Sequence, residues 1–237
     1  MKLDRLEGRA SILAALEAGR RKFEAILVGP SADKWKNADL LELAKRRGVE
    51  LRPVEEAELG AQGKSHGGLV ALAGPRPLDP VDSFAAFDFI LLVEGADDAR
   101  NLGYLLRTAE ALGAQGALLR RRAFDLDSAA VSRASSGAFE RLPLALAELK
   151  DLGPLKKRGL KLFGCVPGAR KSIYDADLRG PLMLAIGGEK RGLSGALREL
   201  CDGLLKIPTA GGASSLSMTQ AAAIALAEAA RQRRPNA

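Results

Sequence analysis

Residues 184 to 194 read Leu-Ala-Ile-Gly-Gly-Glu-Lys-Arg-Gly-Leu-Ser, and the reading of the whole chain turns on them. The apolar run from Leu182 to Ile186 reads as a short buried strand, since it is of strand length and carries no polar residue. It passes directly into Gly187 and Gly188, then Glu189, with a third glycine at Gly192. Glycine tolerates positive φ and close backbone approach, so N–H groups after such a strand can face a polar cofactor. Glycine-rich strand ends also make ordinary turns. The stretch takes a specific meaning only from what stands before and after it.

Before it, Phe89 to Val93 is a second fully apolar run, of the kind buried on both faces in a parallel sheet. It ends at Glu94-Gly95 and leads into Asn101-x-Gly-x3-Arg107-Thr-Ala. Leu102, Leu105, Leu106 and Ala109 recur at i, i+3, i+4 and i+7, so one helix face packs on the sheet, while Tyr104 and Arg107 share another. Arg107 therefore stands within the first two turns of a helix that begins at a strand's carboxyl end. Open α/β sheets place their sites at that edge, although a solvent-facing helical arginine has the same signature. After it comes a strand from Leu204 to Ile207, then Pro208 and the small-residue segment Gly211 to Ser217, which contains Ser215, Leu216 and Ser217. An alanine-rich helix follows and ends in Arg231, Arg233 and Arg234, which suit a helix C-terminus.

Residues 8 to 19 carry Ile12, Leu13 and Leu16 at helical spacing, with Gly19 and then Arg20, Arg21 and Lys22 at the end. Strands are expected at Ala25 to Val28, Val49 to Val54 and Gly68 to Ala73, with a helix from about Ala32 to Arg47, which together make a small α/β unit. The basic residues near Arg20 and Arg46 suit a solvated face. His66 lies in a turn leading into a strand, where a lone histidine is a turn or packing residue more often than a catalyst. Pro75, Pro77 and Pro80 break the periodicity and place a domain boundary near residue 80. Beyond it a strand at Ala117 to Leu119 runs into Arg120-Arg121-Arg122, either a phosphate-facing rim or solvated charge. A helical stretch from Leu142 to Arg158, a strand from Lys161 to Val166 and a helix near Ser194 to Cys201 continue the alternation.

The chain has 237 residues, enough for one large or two modest domains, and a formal charge of +7 with a pI near 9.6, which favours an anionic partner. Residues 88 to 237 hold 22 lysines and arginines against 16 aspartates and glutamates, a net of +6, so nearly all the excess is C-terminal. With aromatics at 4%, a base-stacking platform of the single-strand-binding kind is not expected. No apolar run approaches the roughly 20 residues of a membrane span, and the N-terminus lacks the apolar core of a signal peptide, so the cytoplasm is expected. Two isolated cysteines and one histidine supply neither a disulfide framework nor a standard zinc site, so no metal and no membrane are expected.

Taken in order, Asn101-x-Gly-x3-Arg107, Gly187-Gly-Glu189-x2-Gly192-Leu-Ser, and Ile207-Pro208 with Ser215-Leu-Ser217 resemble the three motifs of the SpoU (TrmH-like) family of RNA 2′-O-ribose methyltransferases. The resemblance covers about residues 88 to 234. Residues 1–75 resemble the small ribosomal-protein-like RNA-binding domain often joined to it, in which His-Gln-Gly usually stands at the position of His66-Gly67-Gly68. The resemblance implies an α/β fold: a parallel-sheet domain of the SPOUT superfamily over 88–237 with a C-terminal trefoil knot, a linker at 76–87, and an N-terminal substrate-binding domain. It also implies a homodimer and S-adenosylmethionine as cofactor. The substrate implied is RNA, ribosomal RNA ahead of transfer RNA because of the added N-terminal domain; a catalytically weak RNA-binding dimer of the same fold is the alternative. Arg107, Asn101, Glu189 and Ser215 would form the catalytic set, and Gly187, Gly188, Gly192, Ile207, Pro208 and Leu216 the cofactor cradle. A guanidinium holds its proton too firmly to act easily as a base, so Arg107 would clamp a phosphate and stabilise the developing alkoxide. Two departures stand out: Ser217 takes the place of the usual Asn in the third motif, and Ala99 follows Asp98 where Asp-Pro is common.

Overall fold

The computed structural model describes residues 3–60, 66–96, 98–120, 127–211 and 215–234. In chain order the elements are β1 (Asp4–Glu7), α1 (Arg9–Ala18), β2 (Phe23–Val28), α2 (Ala38–Arg46), β3 (Glu50–Pro53) and β4 (Leu69–Ala73). Next are β5 (Phe89–Glu94), α3 (Ala99–Ala111), β6 (Gly116–Leu119), α4 (Ser128–Ala134), α5 (Ala138–Arg141), β7 (Leu144–Leu146) and α6 (Leu149–Lys157). The last are β8 (Lys161–Cys165), β9 (Lys171–Ser172), β10 (Leu182–Gly187), α7 (Gly195–Leu200), β11 (Gly203–Lys206) and α8 (Met218–Arg233). The chain divides into two compact units, Met1–Pro77 with Asp127–Arg141, and Leu78–Leu126 with Leu142–Ala237. One domain over 88–237 is expected from the sequence; the short segment 127–141 instead packs with the first unit.

In the first unit the sheet order is β1-β4-β2-β3, with β4 antiparallel to both neighbours and β3 parallel to β2. Leu6, Ile12, Leu16, Ile26, Leu40 and Leu69 form its core. Gly19 closes α1 in the left-handed region at φ 62°, returning its N–H to the Ala15 carbonyl. Arg21, expected on a solvated face, is instead buried. A guanidinium out of water is tolerable only when its donors are met, and Nε and Nη2 donate to the Glu140 carboxylate at 2.8 and 3.0 Å. Nη1 donates to Asp4 at 2.6 Å and the Gly74 carbonyl at 2.9 Å, and Nη2 also reaches Ser128 Oγ at 2.8 Å. Burial alone would lower the Arg21 pKa, but Glu140 and Asp4 raise it above the ordinary arginine value. Arg21 and Arg76 both lie over the Phe139 ring, 5.8 and 5.3 Å from its centroid. A Cβ at Gly137 would come within 2.3 Å of the Ala14 side chain, so glycine is what lets α5 approach α1.

In the second unit seven parallel strands run in the order β7-β6-β5-β10-β8-β11-β9. The chain leaves β8, passes β9, returns to insert β10 between β5 and β8, and then goes out again to β11 beyond β8. Registers Leu182↔Phe89 through Gly187↔Glu94 put the ends of β10 and β5 level. One face of the sheet, with Ile90, Leu92, Leu118, Met183 and Ala185, packs on Leu152 and Leu155 of α6 and Leu197 of α7. Helices α3 and α8 pack on each other, α3 against β6 and α8 against β10. Both faces are thus covered, which is why β10, and β5 up to its last residue Glu94, are apolar.

Three expected boundaries shift. The stretch 142–158 is not one helix: Leu144–Leu146 pair with Ala117–Leu119 as β7, and α6 starts only at Leu149. Helix α2 starts at Ala38, not near residue 32, because Asp33 Oδ1 accepts the N–H groups of Trp35 and Lys36 and holds that segment in a turn. Within the expected linker, Val81–Ala86 form a 3₁₀ turn that buries Phe84 in the core of the second unit.

Candidate active site at the carboxyl edge of the parallel sheet

Strands β5, β10, β8 and β11 all point the same way, so the residues that follow each of them gather at one edge. Gly95, Gly188 and Ile207 are the first residues beyond three of these strands. The β5 and β10 turns touch directly. Gly188 N–H donates to the Glu94 carbonyl at 2.7 Å, and a Cβ on Gly188 would lie 2.1 Å from the Gly95 carbonyl oxygen. Gly192, at φ 58°, folds back to donate to the Gly188 carbonyl at 2.8 Å, and a Cβ on Gly187 would meet the Gly192 backbone at 2.2 Å. Any side chain at Gly187 or Gly188 would therefore force these backbones apart.

Glu94 makes the same junction with its side chain. Its carboxylate accepts Ser194 N–H at 2.8 Å and Ser194 Oγ–H at 3.0 Å, and Arg120 Nε lies 3.5 Å away. Ser194 in turn caps α7, accepting the Leu197 N–H. Both ends of the 188–194 loop are thus fastened to the last residue of β5. Arg120 also donates to the Ala147 carbonyl, so it braces the sheet edge; Arg121 and Arg122 lie outside the described residues.

Asp98 caps α3, accepting the N–H groups of Arg100 and Asn101, and the bonds from Asn101 and then Arg100 hold its carboxyl below the usual range. That cap fixes Asn101 in the first turn, where its Nδ2 donates to Glu189 Oε1 at 3.4 Å. Two of the expected catalytic residues, 88 positions apart, are thereby brought together. Arg107 is exposed, six residues further on and so about 120° around the helix from Asn101. It shares its face with Arg100 and Tyr104 and makes no hydrogen bond or ion pair among the described residues. The helix that carries it packs on α8.

Ile207 and Leu216 are half-buried, while Pro208 and Ser215 are exposed; residues 212 to 214 lie outside the described residues. Ser217 is the N-cap of α8, accepting the Gln220 N–H at 3.3 Å and sharing a hydrogen bond with Thr219. Sequence reasoning missed Glu94 and Ser194. The one available signal was a carboxylate closing an otherwise apolar strand. Among the described residues no group of three or more His, Cys, Asp or Glu side chains could hold a metal ion, and no helix is long and apolar enough to cross a membrane.

Comparison with known proteins matches residues 88–227 to the SpoU rRNA Methylase family and residues 5–78 to the domain described as RNA 2′-O ribose methyltransferase substrate binding. A Synechocystis protein described as an uncharacterized tRNA/rRNA methyltransferase is 33% identical over 98% of this chain, which spans 63% of that relative's length. The 23S rRNA (guanosine-2′-O-)-methyltransferase RlmB of Xanthomonas axonopodis is 32% identical, with 95% of each chain covered. The crystal structure of the SpoU methyltransferase AviRb from Streptomyces viridochromogenes, in complex with AdoMet, superposes with a TM-score of 0.83 at 29% identity, over 97% of this chain and 90% of AviRb.

Proposed function

Because the chain belongs to the SpoU rRNA methylase family, we propose that it transfers the methyl group of S-adenosylmethionine to a ribose 2′-hydroxyl of RNA, with ribosomal RNA as the substrate class. The observation that carries this reading is the hydrogen bond from Asn101 to Glu189, which ties the α3 motif to the glycine loop at the carboxyl edge of the sheet.

The residues at this edge fit the cofactor by their chemistry. Ile207 and Leu216 offer half-buried aliphatic surface for a purine, and small residues from Thr209 to Gly211 leave the backbone open to its polar rim. Gly187, Gly188, Gly192 and Pro208 shape the loops around it. When bound, the cofactor supplies a methyl group already activated by its sulfonium. The protein's task is then alignment and charge stabilisation. Arg107, unpaired by any residue described, is available to clamp a phosphate and to offset negative charge growing on the ribose oxygen. Asn101 acts from the first turn of α3 by holding Glu189, and so the glycine loop, in place. It does not need to touch Arg107. Ser215 stands at the start of the last motif, where its hydroxyl can meet substrate or cofactor.

The wider reading includes a homodimer, supported by Tyr104, a 48% exposed aromatic beside Arg107 on α3. It includes a trefoil knot, supported by the insertion of β10 between β5 and β8, and a cytoplasmic location. Residues 1–75 would present the RNA and 88–237 carry out the transfer. The test is transfer of labelled methyl from S-adenosylmethionine to RNA by the purified chain. Arg107→Ala should cut turnover by orders of magnitude with an unchanged thermal midpoint. Unchanged turnover in that variant would refute the assignment.

A further inference from the structure

The loop between β2 and α2 carries the chain's only tryptophan. An indole is normally well buried, because its large apolar surface is costly to leave in water. Trp35 is 94% exposed. The backbone beneath it is nevertheless built firmly. Asp33 Oδ1 accepts the N–H groups of Trp35 and Lys36 at 3.0 and 3.1 Å, buried Asn37 donates Nδ2 to the Asp33 carbonyl at 2.7 Å, and Arg9 Nε donates to the Lys36 carbonyl at 3.1 Å. At the other end of the loop, Ser31 donates both its N–H and its hydroxyl to the Glu56 carboxylate, at 3.2 and 2.6 Å.

The turn at His66 supplies the remaining brace. His66 is buried, and its Nδ1 accepts the Gly68 N–H at 3.1 Å. Gly68 sits at φ 76°, and a Cβ there would lie 2.3 Å from the backbone nitrogen of Ala32. The His66-Gly67-Gly68 turn therefore presses directly on the loop that presents Trp35. This gives a structural use to a histidine that no catalytic role absorbs.

The surroundings of the ring select its partner. Lys34 and Lys36 flank it, both exposed and without an ion-pair partner among the described residues. The acids nearby are engaged, Asp33 by backbone N–H groups and Asp39 by Arg9. An apolar protein-docking patch would be expected to continue into apolar neighbours, but Ser31, Asp33, Lys34, Lys36 and Asn37 are all polar. An exposed indole with a lysine on either side of it in the chain suits an unpaired base with a phosphate on either side.

We propose that Trp35 is a stacking site for one unpaired nucleobase of the RNA substrate, with Lys34 and Lys36 meeting the adjacent phosphates. The proposal rests on RNA being the substrate. It needs one exposed ring on a braced backbone, not the multi-ring platform that the aromatic content argues against.

Because Trp35 is the sole tryptophan, its emission reports on this site alone in the full chain. Titration with a mixed-sequence single-stranded RNA should give saturable quenching, and the same RNA annealed to its complement much less. Trp35→Ala should bind the single strand roughly 5- to 150-fold more weakly in a mobility-shift assay, Trp35→Phe should recover most of that loss, and S-adenosylmethionine affinity should be unchanged in both. Unchanged emission at saturating RNA, or an alanine variant within about twofold of the parent, overturns the proposal and leaves the methyl-transfer reading standing. Quenching that follows protein concentration and not RNA would mean that the ring docks on a second copy, and equally overturns it. If the unaltered chain binds no RNA in the mobility shift, both readings fail together.

Discussion

Replacing Glu94 with alanine should loosen the glycine loop without touching any of its residues. The carboxylate holds Ser194 through two hydrogen bonds at 2.8 and 3.0 Å, and its charge faces Arg120 at 3.5 Å. Hydrogen bonds to a charged group contribute about 1.5 to 3 kcal/mol each. The Glu94 side chain keeps 15% exposure, so water restores part of what is lost, and a net destabilisation of about 3 kcal/mol follows. At about 2 to 4 °C per kcal/mol for a unit of this size, the calorimetric midpoint should fall by about 6 to 12 °C. On the proposed reading, in which this loop holds S-adenosylmethionine, whatever part of that energy had ordered residues 188–194 must be restored on binding, so the affinity by titration calorimetry should fall by up to about 150-fold. Glu94→Gln keeps the shape and an acceptor but loses the charge, and should lie between the two. A Glu94→Ala chain with an unmoved midpoint and the parent's cofactor affinity would refute the view that this carboxylate fastens the loop.

Two further outcomes concern one buried ion pair and two partly buried thiols. Glu140→Ala leaves the Arg21 guanidinium buried without its main partner and should cost about 3 to 5 kcal/mol in urea unfolding, while Arg21→Met combined with Glu140→Leu should recover most of it; a loss below about 1 kcal/mol in the single variant would show that this pair does not hold segment 127–141 in the first unit. Burial pushes the Cys165 thiol up to about 12 and Cys201 up to about 11, so neither is ionised at neutral pH. Ellman's reagent should therefore label the folded chain far more slowly than the unfolded one, and rapid labelling of native Cys165 would contradict this. Because both values are raised above the ordinary 9.0, their contribution to stability is complete below that pH and is lost as pH climbs toward 11 to 12.

The parallel sheet was legible because its central strands carry their own signal. β5 and β10 are unbroken apolar runs, and only a strand covered on both faces can afford that pattern. β7 was not legible: its three residues lie in a run of leucines and alanines that reads equally well as the start of a helix, and only pairing with β6 decides the matter. β1, with the sequence Asp-Arg-Leu-Glu, has one apolar residue of four and is a strand only because β4 pairs with it. Arg21 failed for a related reason. Its partner Glu140 is 119 residues away, so a triplet of basic residues after a helix gave no hint that one of them turns inward. Local periodicity reports which faces are apolar, whereas these features depend on contacts made across the chain.

The motif residues divide along the same line. Gly187, Gly188 and Gly192 were expected to be small so that a ligand could approach, but Gly187 and Gly188 are small first because another backbone already occupies the space. Their requirement is met before any cofactor arrives, so a motif glycine is by itself evidence of a junction between two turns. Ser217 fits the same logic. Its position is the N-cap of α8, where the hydroxyl accepts the Gln220 N–H, and serine serves there as well as asparagine. The departure from Asn at this position therefore leaves the start of α8 intact, and with it the packing of α8 on α3 that carries Arg107. What the substitution removes is an amide that could reach beyond the cap, so any consequence must appear in the methyl-transfer rate and not in the stability of the fold.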